Sequence, residues 1–156
     1  TLGSAIVSFV GAGLLGFAHT LPQTNLYTHG TLVTAMHGHL AFWGAYAMIV
    51  LAIISYALPN LTGRKLYDGS RGRAAFWMSN IGMVGMTVAF GVAGVAQVYL
   101  ERIMKLDFME VQKMTEIHFY VLIICATLFL TGIILYIIDF VKYGQPTDEA
   151  LEINNQ

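Results

Sequence analysis

The stretch YTHGTLVTAMHGHLAFWG, residues 27–44, places two histidines, His37 and His39, inside a long apolar run. Positions i and i+2 of an α-helix project roughly 200° apart, at about 100° per residue. The two imidazoles therefore point to nearly opposite sides of one helix and cannot share one metal ion. Each can bind a different ion, and this geometry suits a helix placed between two haems.

The composition around this stretch is that of a membrane protein. Of the 156 residues, 56% are hydrophobic and only 11% are charged, whereas a soluble domain carries about 25% charged residues. A helix needs about 20 apolar residues to cross a bilayer. We therefore predict an all-α integral membrane protein with four transmembrane helices, over residues 2–18, 31–58, 74–100 and 116–138.

The segments outside these runs are short and polar. We expect residues 1–156 to form a single membrane domain of a larger subunit, because the first run begins without Met or a basic lead-in. The loop 101–116 alternates apolar and charged residues, which favours a short helix at the membrane interface. The polar tail, 144–156, is predicted to be flexible.

The loop charges predict the orientation of the helices. Loop 60–73 carries four basic residues and one acid, whereas the turn at 19–30 has no Lys or Arg. By the positive-inside rule, loop 60–73 and the C-terminus are cytoplasmic and the turn lies outside. At 1.5 Å per residue from Thr31, His37 then lies about 9 Å into the membrane from its outer face.

Several classes of partner and site are excluded or made less favourable. The net charge is −1, with no basic patch and no glycine-rich phosphate loop, so we expect no nucleic-acid partner. The single cysteine, Cys125, excludes an intrachain disulfide and a cysteine-based zinc site, and we interpret it as a packing residue. Small residues in the third run predict close helix packing: Gly82, Gly85, Gly91 and Gly94.

The remaining histidines and the acids are weaker candidates. His29 precedes the second helix by two residues, and is either a solvated or helix-capping residue or a contact of haem propionates. His19 is similar but weaker, and His118 is interpreted as a structural polar anchor. Acids are tolerated at the ends of spans, so we expect no proton relay from the three found there: Glu101, Glu116 and Asp139.

For His37 and His39 the plain alternative is a hydrogen-bonded pair in a helix bundle. Neutral imidazole is an ordinary axial ligand of haem iron, and a structural subunit would leave two buried imidazoles without partners. Gly38 either lets a porphyrin approach the backbone or packs against a helix. Phe42 and Trp43 either line a haem or pack in the core.

The segment HTLPQTNLYTHGTLVTAMHGHLAFWGAY, with LPNLTGRK after it, resembles helix ten of the haem-copper oxidase superfamily. It is more similar to the catalytic subunit of bacterial nitric oxide reductases than to oxygen-reducing members. The oxidases typically have Phe within His-x-His and Asp after the first histidine, where this chain has Gly38 and Gly30. The resemblance implies helices nine to twelve of a twelve-helix subunit.

The resemblance also implies the roles of residues and the cofactors. His37 would be the proximal ligand of the high-spin haem b3, His39 an axial ligand of the low-spin haem b, and His29 would lie near the haem propionates. Two NO molecules would be reduced to N2O and water at haem b3 and a non-haem iron. The ligands of that iron would come from outside this chain.

The implied partners are the remaining helices of the same subunit, a membrane-anchored cytochrome c subunit, nitric oxide and the lipid bilayer. The implied location is the bacterial inner membrane, as a multi-pass protein with its haem side toward the periplasm. A quinol-using form leaves the electron donor open. Two other functions also stay open: an oxygen-reducing oxidase subunit, and a non-catalytic subunit that anchors haem.

Overall fold

A computed structural model of the chain describes residues 2–63 and 69–143, and most of them are helical. The helices are α1 (Leu2–Thr20), α2 (Pro22–Thr28), α3 (Leu32–Leu61), α4 (Gly69–Ile103), α5 (Phe108–Met114) and α6 (Glu116–Tyr143). No strand occurs within the described ranges. Four of these helices, α1, α3, α4 and α6, are long and apolar enough to cross a membrane. The predicted all-α membrane fold is thereby confirmed.

The helices differ in detail from the predicted runs. Residues 22–28 form the short helix α2 where only a turn was predicted, because Pro22 fits the first turn of a helix. A helix, α5, forms in the loop 101–116, and the Asp107 carboxylate accepts a hydrogen bond from the N–H of Met109 at its start. The predicted tail and residues 64–68 of loop 60–73 lie outside the described residues.

α4 is the central helix of the four spans. Of its most apolar 18 residues about 44% are buried, against 6% for the same length of α6 and 11% for that of α1. Met83 and Met86 of α4 pack against Trp43 of α3, and the Trp43 indole N–H donates to Asn80 Oδ1 at 3.0 Å. Trp43 is thus a core residue of this chain. The exposed apolar faces of the other helices suit lipid or further helices.

Glycines allow the helix backbones to approach closely, as the small residues predicted. A Cβ added at Gly82 would lie 2.5 Å from the backbone nitrogen of Phe129 in α6, and one at Gly94 would overlap the backbone nitrogen of Val33 in α3. A larger residue at either position would force the helices apart. Cys125 packs beside this core, which agrees with its interpretation as a packing residue.

We expect Gly94→Ala to destabilise the protein by about 1–3 kcal/mol, because the added methyl group separates α3 from α4. The measurement is the midpoint of thermal unfolding in detergent. Gly13→Ala is the matched control, since its Cβ would meet only the Phe9 ring, at 3.7 Å. A Gly94→Ala protein that unfolds at or above the wild-type temperature would contradict this packing.

Asp139 is buried, although its place at the end of a span indicated only that an acid is tolerated there. It is 2% exposed, and its Oδ1 lies 2.9 Å from Nη1 of Arg71. The pair joins the start of α4 to the end of α6. A buried carboxylate requires such a partner, and removal of the Arg71 side chain would leave the Asp139 carboxylate without this ion pair.

Candidate functional site

The start of α3 is fixed by side chains that accept from its free N–H groups. Thr31 Oγ1 accepts from the N–H of Val33 at 3.3 Å, and Gln97 Oε1 of α4 accepts from the N–H of Leu32 at 3.0 Å. The first turn of a helix leaves such groups unpaired. Gln97 is buried and also donates to Glu101 at 2.9 Å. The bond from Leu32 to Gln97 fixes the position of α3 along the axis of α4. It thereby also fixes the position of the two histidines of α3 along α4.

His37 points from α3 toward α1. Its Nδ1 lies 2.8 Å from the carbonyl oxygen of Gly11, which is buried where the backbones of α1 and α3 touch. A carbonyl oxygen only accepts, so in the neutral imidazole Nδ1 carries the proton and Nε2 keeps its lone pair. Histidines that bind metals are commonly oriented by such a bond.

His39 points to a different neighbour, α4. Its Nδ1 lies 2.8 Å from the carbonyl oxygen of Ala35, one turn earlier. Its ring is tilted by 38° against Phe90, with 4.9 Å between the ring centroids. By the same reasoning its Nε2 keeps a lone pair. The two imidazoles lie against different helices, in agreement with their spacing, and their roles as ligands stay predictions.

The expectation that a structural role would leave both imidazoles without partners is wrong. Neither imidazole is left without a partner, because both Nδ1 atoms bond to carbonyl oxygens within the chain. A hydrogen-bonded structural pair is therefore possible for the Nδ1 edge of each ring. The Nε2 edges are what a metal-binding role would use.

Gly38, between the two histidines, has an open side. Apart from its chain neighbours and the backbone of its own helix, no atom of the described residues lies within 4 Å of a Cβ built at this position. Gly44, one of the glycines further along α3, is in contrast pressed against the backbone of Val7 and Ser8. Packing within the described part of the chain thus gives no reason for Gly38, and its side of α3 can accept a flat group.

His29 lies between α2 and α3, with an exposed side chain. Its carbonyl oxygen accepts a hydrogen bond from Nη2 of Arg102, at the end of α4, at 3.2 Å. Gly30 follows with a φ of 73°, a left-handed conformation that favours glycine. The sequence did not point to Arg102, because 73 positions separate it from His29; its only signal was a basic residue at the end of a span.

The fold brings His19 to His37 and leaves His118 apart. The rings of His19 and His37 are stacked, with centroids 5.0 Å apart and an angle of 23°. The ring of His118 bonds to its own turn, with Nδ1 at 3.2 Å from the Thr115 carbonyl oxygen. Within residues 2–63 and 69–143, no group of three or more His, Cys, Asp or Glu side chains is placed to hold a metal ion.

Comparison with known proteins decides the family. The family described as "Cytochrome C and Quinol oxidase polypeptide I" matches residues 1–130. The chain belongs to this family. The resemblance to the haem-copper oxidase superfamily is thereby confirmed, and with its four apolar helices the chain is a multi-pass membrane protein.

Three relatives refine the comparison. The chain is 40% identical over 152 residues to the B subunit of nitric oxide reductase from Stutzerimonas stutzeri. The matched region covers 92% of this chain and 32% of that protein. It is 27% identical over 95 residues to a cytochrome c oxidase subunit 1 of Thermus thermophilus, covering 60% of this chain and 17% of that protein. A second Thermus thermophilus cytochrome c oxidase subunit 1 is 28% identical over 91 residues, covering 57% of this chain and 84% of that sequence. The chain spans about a third of the length of the reductase protein.

Proposed function

We propose that this chain is the part of a nitric oxide reductase catalytic subunit that supplies one axial ligand to each of two haems. The observation that carries the proposal is the arrangement of His37 and His39. Their rings lie against different helices, and within the described residues their hydrogen bonds use Nδ1 and leave both Nε2 atoms free. The 40% identity to the B subunit of a nitric oxide reductase supports this choice of reaction.

The described residues fit haem at both positions. Neutral imidazole nitrogen is an ordinary axial ligand of haem iron, and the bonds from Nδ1 to carbonyl oxygens orient each ring. The open side of Gly38 lets a flat group approach α3. In this assignment His37 binds haem b3 and His39 binds the low-spin haem b.

The proposed reaction converts two NO, two electrons and two protons into N2O and water. Haem b3, with a non-haem iron whose ligands lie outside this chain, would supply the binding and reduction of NO. The chain itself holds the two haem positions on opposite sides of one helix, so that His39 positions the electron donor and His37 the acceptor. At the outer end of α3, Arg102 and His29 lie where they could pair with propionate carboxylates.

The location and partners follow from the same assignment. We place the protein in the bacterial inner membrane, with the haem side toward the periplasm and with residues 60–73 and the C-terminus cytoplasmic. The partners are the remaining helices of the same subunit and a membrane-anchored cytochrome c subunit that donates electrons. A quinol is the alternative donor.

The second candidate function is oxygen reduction, which the 27% identity to a cytochrome c oxidase subunit 1 favours. The deciding experiment uses the complete complex, purified from membranes, with a reduced donor. We expect N2O from NO under anaerobic conditions and iron without copper on metal analysis. Copper with oxygen consumption and no N2O would support the oxidase instead, and the absence of haem iron would overturn both.

We expect His29→Ala to leave both haems bound and to lower NO turnover by less than about tenfold, equivalent to ~1.4 kcal/mol. The imidazole would be one of two groups near the propionates, and Arg102 would remain. The measurement is the rate of NO consumption at a fixed concentration of reduced donor. The matched control is His118→Ala, because the His118 ring bonds within its own turn. Equal rates for both variants would place His29 outside the site.

A further inference from the structure

We propose that His19 is a positioning residue, which fixes the rotation of the His37 ring about its side chain. The inference rests on the proposed function, since it takes His37 as the ligand of haem b3. His19 belongs to the last turn of α1, and its ring stacks on that of His37 with 5.0 Å between centroids and an angle of 23°.

Three contacts from α1 together define the plane of the His37 ring. The carbonyl oxygen of Gly11 holds the Nδ1 edge at 2.8 Å. Gly16 lies beside Cε1, where an added Cβ would be only 3.3 Å away. His19 covers one face of the ring. A single hydrogen bond leaves an imidazole free to swing, because its χ2 angle has broad preferences; an edge and a face contact together remove that freedom.

The ring of His19 is itself fixed in place. Its Nδ1 lies 2.8 Å from the carbonyl oxygen of Leu15, one turn earlier in α1. This edge contact and the face contact with His37 together hold the His19 ring in one orientation, and a phenyl ring of similar shape would lack the hydrogen bond. The Nε2 atom of His19 is buried without a partner in the described part of the chain. Packing alone would favour an apolar ring here, since buried polar atoms normally find partners.

The orientation of a ligand ring changes how its nitrogen meets the iron, and contacts to the ligand tune the metal in this way. His19 would thus set the strength and uniformity of the bond between His37 and iron without touching substrate or haem iron itself. Its expected signature is spectroscopic, in the iron–histidine stretching band of the ferrous high-spin haem.

The test uses resonance Raman spectra of the complete reductase. We expect His19→Ala to shift and broaden the iron–histidine band, because the face contact is lost. His19→Phe should broaden the band at its wild-type position. The phenyl ring keeps the face contact with His37 but cannot form the hydrogen bond to the Leu15 carbonyl oxygen. Gly16→Ala, which crowds Cε1 of the His37 ring, should also shift the band. His118→Ala is the control and should leave the band unchanged.

Two results would overturn the inference: a His19→Ala band superimposable on that of the wild type, or a His19→Phe shift as large as that of His19→Ala. The low-spin haem content of each variant shows whether the protein has folded. His37→Ala separates the two proposals. If the wild type lacks the band, or His37→Ala keeps it, the assignment of His37 fails. If His37→Ala removes the band and His19→Ala leaves it unaltered, only the role of His19 fails.

Discussion

His37→Ala in the complete reductase is expected to abolish NO turnover, by more than about 10³-fold or ~4 kcal/mol, while the low-spin haem stays in place. The substitution removes the Nε2 atom proposed to bind haem b3. It leaves untouched the contacts of His39, which bonds to Ala35 and lies against Phe90. The two histidines share a helix but bond to different carbonyl groups, so their losses should separate.

The measurement combines reduced-minus-oxidised spectra with N2O in the headspace. Because a cavity at residue 37 could also disturb the contact with Gly11, added imidazole provides the second test, since it can occupy the space left by the side chain. Partial recovery of turnover with imidazole would show that the lost group is the ligand. Wild-type N2O production by His37→Ala, or loss of the low-spin signal with the high-spin signal intact, would contradict the assignment.

The fold was predictable from the sequence because its main signals are local. The length of an apolar run determines whether a helix can cross a bilayer, and four such runs gave four spans. Gly63 follows the end of α3 with a φ of 61°, which glycine adopts readily. The opposed directions of His37 and His39 needed only the helical repeat.

Contacts between distant residues were not predictable in this way. Arg71 and Asp139 are 68 positions apart, and nothing in their local sequences marks them as a pair. Asp139 was predicted only as an acid at the end of a span, where acids are tolerated. The helix that packs against it, and its arginine, decide that the carboxylate is buried.

The surroundings of the candidate ligands show the same limit. The sequence places His19 and His37 in separate segments, and the stacking of their rings depends on how α1 crosses α3. That crossing depends on Gly11 and Gly44, where the backbones approach too closely for any side chain. Neither glycine was singled out in the sequence, because which helix each one faces is a property of the assembled bundle.

His39→Ala is expected to remove the low-spin haem signal and to reduce turnover with the natural donor by more than about 10³-fold, while the high-spin haem remains. His39 is exposed in this chain, so its truncation leaves no internal cavity and should disturb the bundle little. The loss of signal would then come from the missing ligand and not from unfolding.

His39→Met gives the sharper comparison, because a thioether is also an axial ligand and a His/Met pair raises the reduction potential of haem. We expect this variant to retain a low-spin haem with a raised potential and to turn over more slowly than the wild type but faster than His39→Ala. Redox titration followed at the low-spin band measures the potential directly.

If His39 has only a structural role, both substitutions should leave the low-spin band and its potential unchanged. Its polar contact among the described residues is the bond between Nδ1 and the Ala35 carbonyl oxygen, and this bond does not involve a haem. Loss of the high-spin signal in place of the low-spin one would instead mean that the two histidines serve the opposite haems.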